Sequence, residues 1–158
     1  MQETYIEIMI QSLNKKLQVL DAIIEQNIKQ KDILENPKAE IEEFDATVDT
    51  KTALIEQMQQ LDSGFEKLFE RVQEELAGHK EDYAEAIRTM QSCIRRITDK
   101  SMEIQAQEAR NKELMIRKFA YVKETAKSVR TNSKIANQYY KNMMKLNYVT
   151  PQFMDNKK

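Results

Sequence analysis

Pro37, Gly64, Gly78 and Pro151 are the only glycines and prolines among the 158 residues. An all-β domain or a βαβ fold of this size needs many tight turns, and these two residue types make most of them. What so few breakers allow is long helices joined at few corners. At 41% hydrophobic and 32% charged, the chain matches the usage of long helices and coiled coils and not that of a disordered segment.

The apolar spacing agrees. Ile6, Ile10, Leu13, Leu17, Leu20 and Ile24 follow one another by alternating steps of four and three, a heptad seam and not a strand alternation. Continued in the same register, the seam meets Asn27, Lys31 and Leu34. Polar groups at seam positions weaken packing but set register and partner number; the alternative is a seam that runs out as a bundle frays. Asn36-Pro37 closes this first helix, because the residue before proline is pushed out of the α region. Asn36 is then a natural N-cap for a second helix opening at Pro37, with Glu40, Glu42 and Glu43 in its first turns.

That second helix carries Ile41, Phe44 and Val48, then, after a skip that Ile55 helps to bridge, Leu54, Met58, Leu61, Phe65, Leu68, Val72 and Leu76. Gly64 inside the pattern marks a bend or the close approach of another helix. Ala77-Gly78-His79 is the next corner, with Gly78 just past a helix end and His79 a solvated turn residue. The third helix shows Tyr83, Ile87, Met90, Ile94 and Ile97, then Ser101, Ile104, Glu108 and Asn111 on the strict continuation. Met102, Ala106, Ala109, Leu114, Phe119 and Val122 suggest that its buried face rotates.

From His79 to Leu146 there is no breaker, which would be about 100 Å of helix at about 1.5 Å per residue. A change of environment is expected in Ser128-Val129-Arg130-Thr131-Asn132-Ser133, rich in cap-type residues. Beyond it Ile135, Ala136, Tyr139, Tyr140, Met143, Met144 and Leu146 share one side at helical spacing, followed by an extended tail. The expected fold is therefore all-α: an elongated antiparallel three-helix bundle or coiled coil over residues 1–128, with helices over about 2–36, 37–77 and 79–128. A C-terminal amphipathic helix and tail occupy residues 129–158.

Charge is segregated. Glu35 to Glu75 holds twelve acidic and four basic residues, and Arg110 to Lys158 twelve basic and three acidic, although the net charge is only −1. No catalytic constellation emerges: one His and one Cys cannot assemble a zinc site, the two glycines are too far apart for a phosphate loop, and no cofactor is implied. Cys93 beside Ile94 reads as a small partly buried side chain. An enzyme is the least favoured class. The tyrosines follow the apolar stripe instead of alternating with the cations, and the pI of about 6.0 disfavours a polyanion, so no nucleic acid is expected. No run of about 18 apolar residues is present, so stable membrane insertion is not expected either, and the N-terminus lacks the pattern of a signal peptide. The expected location is cytoplasmic. What remains is recognition by apolar helix surface, for which methionine-rich faces are suited. A structural coiled-coil adaptor, with homo-oligomerisation through the Ile6–Ile24 seam, is the alternative.

The run Ala39 to Met58, AEIEEFDATVDTKTALIEQM, with Leu61-Asp62 beyond it, resembles the second-helix pattern of the flagellar secretion chaperone family FlgN. The matching positions are Ile41, Phe44, Val48, Lys51, Leu54 and Ile55. The string RTNSKIANQYYKNMMKLNYVTPQFMDNKK resembles the tails of such proteins, and the likeness in layout covers essentially the whole chain. The resemblance implies a cytosolic helical chaperone that binds the C-terminal region of the hook-associated proteins of the hook–filament junction, prevents their assembly and delivers them to a flagellar export gate component. It further implies substrate capture by the C-terminal helix, at Ile135, Tyr139, Tyr140, Met143, Met144 and Leu146. Related chaperones dock on the gate through an exposed tyrosine, for which Tyr121, Tyr139 and Tyr140 are the candidates.

Overall fold

In the computed structural model, which describes residues 4–119, every regular element is a helix: α1 Tyr5–Glu35, α2 Ile41–Asp62, α3 Phe65–Leu76 and α4 Ala84–Lys118. The partners across helices set their directions. Asn14, Asp21 and Asn27 of α1 meet Cys93, Lys100 and Gln107 of α4, so these two helices run parallel. Lys16 meets Asp62, and Gln30 meets Lys51, so α2 runs the opposite way, and α3 continues it to bring Glu75 to the start of α1. α1 packs against all three other helices.

α1 starts on a capping box: Glu7 N–H donates to Thr4 Oγ1 at 3.1 Å, and Thr4 N–H donates to Glu7 Oε2 at 3.3 Å. Its next two free amides, Tyr5 N–H and Ile6 N–H, donate to the Glu75 carboxylate at 2.8 and 3.2 Å. At the other end Lys118 Nζ donates to the carbonyls of Ile33, at 3.0 Å, and Asn36. An anion from α3 thus covers the positive end of the helix dipole and a cation from α4 the negative end.

Asn36 ends α1 as expected, but it does not cap the second helix. Its Oδ1 accepts from Lys38 N–H within the turn, and α2 begins at Ile41 after Glu40, whose N–H donates to Glu43 Oε2 at 2.9 Å. The single helix expected over residues 37–77 is also corrected. It is interrupted at Ser63-Gly64, where Gly64 takes φ 79°, a left-handed conformation that a side chain would strain. A Cβ on Gly64 would meet nothing within 4 Å, so the glycine serves the bend and not a close approach. Gly78, at φ 76°, turns the chain after α3 as expected. The third long helix starts at Ala84, later than expected, because residues 77–83 are spent in turns.

The buried stripe of α1 is Ile6, Met9, Leu13, Lys16, Leu20, Ile23, Asn27, Gln30 and Leu34, with Leu17 beside it. The apolar register placed Lys31 in the seam where the structure buries Gln30, because facing neighbours on two sides buries a stripe broader than one seam. In α4 the rotation of the buried face does not occur at mid-helix, although Leu114 and Phe119, expected on the rotated face, do pack in the smaller cluster at its end. Met102, Ala106 and Ala109 are exposed, while Ile97, Ser101, Ile104, Glu108, Asn111 and Met115 keep the strict heptad inside. Two apolar clusters result. The larger includes Leu13, Leu20, Ile23, Met58, Val72, Ile94 and Ile104; the smaller comprises Leu34, Phe44, Met115 and Phe119, with Ile41 and Val48 against it. Each fully buried Leu, Ile, Met or Phe side chain stabilises the fold by about 1.5–3 kcal/mol.

Candidate partner-binding site

Ile135, Ala136, Tyr139, Tyr140, Met143, Met144 and Leu146, and the tyrosine candidates Tyr121, Tyr139 and Tyr140, lie outside the described residues, as does the expected break at 128–133. What the structure builds is the end of the fold from which that sequence continues. There Phe119 is 2% exposed and packs its ring 6.1 Å from that of Phe44 at 53°. Lys118, having reached the α1 carbonyls, also lies 5.6 Å from the Phe119 ring. Leu34, Glu35, Pro37, Ala39, Lys118 and Phe119 line a shallow open depression at this end.

Between the two apolar clusters lies a layer of buried polar groups: Asn27 and Gln30 from α1, Thr47 and Lys51 from α2, Gln107, Glu108 and Asn111 from α4. Lys51 Nζ pairs with Glu108 and donates to Gln30 Oε1 at 3.2 Å. Asn27 Nδ2 donates to Gln107 Oε1 at 3.0 Å, and Asn111 Nδ2 to the Asn27 carbonyl at 2.9 Å. Burial pulls the Lys51 ammonium below its usual pKa, and the adjacent Glu108 carboxylate opposes that only in part. The polar end of the seam is therefore interior and connected, as a register-setting device requires, and does not fray.

This layer explains the skip between Val48 and Leu54, since Lys51 occupies the missing core position, with Thr47 buried one turn before it. Lys16, Thr47, Gln30 and Gln107 escaped a search made over apolar residues; Thr47 lies on the heptad through Phe44 and Lys51, and Lys16 and Gln30 on the neighbouring register Met9, Leu13, Leu20, Ile23, Asn27 and Leu34. Lys16, 4% exposed, pairs with Asp62 at 2.5 Å and lies 4.5 Å from the Phe65 ring, bridging the interruption between α2 and α3. Cys93 is buried, with burial raising its thiol pKa, and His79 sits exposed in the turn near Asp82. Among the described residues no three His, Cys, Asp or Glu side chains converge as a metal site, and no helix is long and apolar enough to cross a membrane.

The positions that carried the resemblance now have places. Phe44, Ile41 and Val48 build the smaller cluster, Leu54 and Ile55 pack on the larger, and Lys51 forms the layer between them, so the pattern is the inward side of α2. No curated protein and no solved structure matches the chain. The sequence model described as FlgN protein does match, over residues 1–145, from the capped start of α1 through α4 and on into the basic C-terminal third. With so much of its length aligned, and with the α2 pattern accounted for by the core, the chain belongs to the FlgN family of flagellar export chaperones.

Proposed function

We propose that this protein is a non-enzymatic cytoplasmic export chaperone that captures the C-terminal helical regions of hook-associated proteins, prevents their premature assembly and delivers them to the flagellar export gate. The observation that carries the reading is the family match extending to residue 145, which takes in the stripe from Ile135 to Met144. In this reading residues 1–128 form an elongated coiled-coil-like bundle whose descending leg is broken at Gly64. Residues 129–158 provide the amphipathic capture segment, with Tyr121, Tyr139 or Tyr140 meeting the gate. An apolar helix surface suits the task, because assembly helices of a client need a hydrophobic partner before export.

The burial pattern supports this over a self-associating scaffold. Ile6, Leu13, Leu17 and Leu20, which a scaffold would use to pair with a second copy, are buried against helices of the same chain. The large exposed apolar side chains among the described residues, Tyr5, Ile8, Ile28 and Met102, are distributed over α1 and α4. The test is a double substitution, Tyr140→Ala with Met143→Ala, assayed by circular dichroism and by titration with a hook-associated protein's C-terminal region. Helicity should be nearly intact and affinity should fall several-fold or more; unchanged affinity would reject this face.

A further inference from the structure

We infer that the buried polar layer divides the fold into two units that open separately, and that the unit beyond it, residues 31–50 with 109–119, opens while the rest stays folded. The apolar contacts that make unfolding cooperative are continuous within each cluster, but between them stand Asn27, Gln30, Thr47, Lys51, Gln107, Glu108 and Asn111. Parting the fold at this layer returns an ion pair and several amides to water, which offsets part of the cost of separation. Parting it at Leu20, Met58 or Ile97 exposes chiefly apolar surface, with Lys16 and Ser101 the buried polar side chains nearby.

The layer is also imperfectly satisfied, because Asn27 Oδ1 is buried without a hydrogen bond. From α2 to α4 the bridges on this side are the Lys51–Glu108 pair and the Phe44–Phe119 ring contact, and the fully buried apolar residues beyond the pair are few. The chain continues past residue 119 from this smaller unit, so its opening displaces the root of residues 120–158. The inference goes beyond the chaperone reading and stands whether or not a client binds.

Native-state hydrogen exchange on the full chain tests it. Amides of Leu34, Phe44 and Met115 should exchange at least about ten-fold faster than those of Leu20, Met58 and Ile97, through an opening with a smaller denaturant dependence. Ile6 and Leu76, at the opposite end, should behave like the larger core. Replacing the pair by apolar side chains, Lys51→Met with Glu108→Leu, should close the gap by about ten-fold, since only a layer effect and not end fraying responds to it. One rate and one denaturant slope across both clusters overturns the inference, as does a gap that the double substitution leaves unchanged. If that variant does not fold, Glu108→Gln is decisive: faster exchange in the smaller unit alone supports the division, and an equal change in both units overturns it.

Discussion

Lys16 occupies a core position of α1, and its replacement by methionine isolates what a cation does there. The aliphatic stem is retained, so the loss is confined to the ammonium. That group pairs with Asp62, the last residue of α2, at 2.5 Å, with side-chain exposures of 5% for Lys16 and 17% for Asp62. Breaking a fully buried pair costs about 3–5 kcal/mol and an exposed one about 0.2–1, so this pair, largely buried but reached by solvent at Asp62, is worth about 2 kcal/mol. The contact 4.5 Å from the Phe65 ring contributes about 1 kcal/mol more. Asp62 also sits at the negative end of the α2 dipole, so removing Lys16 leaves an anion where the helix least favours one. Lys16→Met should therefore lower stability by about 3 kcal/mol in urea unfolding, and the melting temperature by about 10 °C at about 2–4 °C per kcal/mol. In an Asp62→Asn background the same substitution should cost only about 1 kcal/mol, the cation–ring part. A cost within about 0.5 kcal/mol of zero, or one equal in both backgrounds, refutes the account of Lys16 as the clamp across the α2–α3 interruption.

Glu75 supplies acceptors to Tyr5 N–H and Ile6 N–H, so Glu75→Ala should cost about 1–2 kcal/mol in the same assay and speed exchange of those two amides. Glu75→Gln keeps an acceptor and should recover about half of that loss, the remainder being the dipole attraction. Burial, Asp49 and Glu42 raise the Asp45 pKa above 3.8, so between 3.8 and the raised value the folded chain holds more protons than the unfolded one. Stability from this site rises as pH falls through the raised value, and above it the repulsion is fully present. Asp45→Asn should then stabilise the protein at pH 7 by a few tenths of a kcal/mol, since solvent screens this largely exposed site, and the gain should vanish in acid. A gain that is the same at pH 7 and in acid would show the effect is not electrostatic.

The helical class, the corner at Gly78, the end of α1 at Asn36 and most of the larger core were legible from spacing, since a heptad of apolar residues admits few other solutions. What misled was the assumption that core positions are apolar. It passed over Thr47 and made a skip of Lys51, and it turned the strict continuation through Ser101, Glu108 and Asn111 into an apparent rotation toward Met102 and Ala106. The interruption after Asp62 was visible only as one glycine, because both flanking helices keep the same inward residues across it. No property of Gly64 in the sequence distinguishes a bend from a close contact; its positive φ does.

The same polar residues determine why one register prevails. An apolar seam is degenerate under a slip of one heptad: Met90, Ile97 and Ile104 in α4 would accept one another's partners at modest cost. Lys51 would not. Shifted by seven residues in either direction, it would face Ser101 or Met115 in place of Glu108, leaving an ammonium buried and unpaired at a cost of about 3–5 kcal/mol. The same slip of α1 would withdraw Tyr5 and Ile6 from Glu75, and the Ile33 carbonyl from Lys118. Stability thus comes chiefly from the two apolar clusters, whereas alignment comes from the groups between them and at the ends of α1. A lysine in the interior of α2, one of the six positions on which its sequence resembles a family pattern, forbids the neighbouring registers more than it holds the helices together.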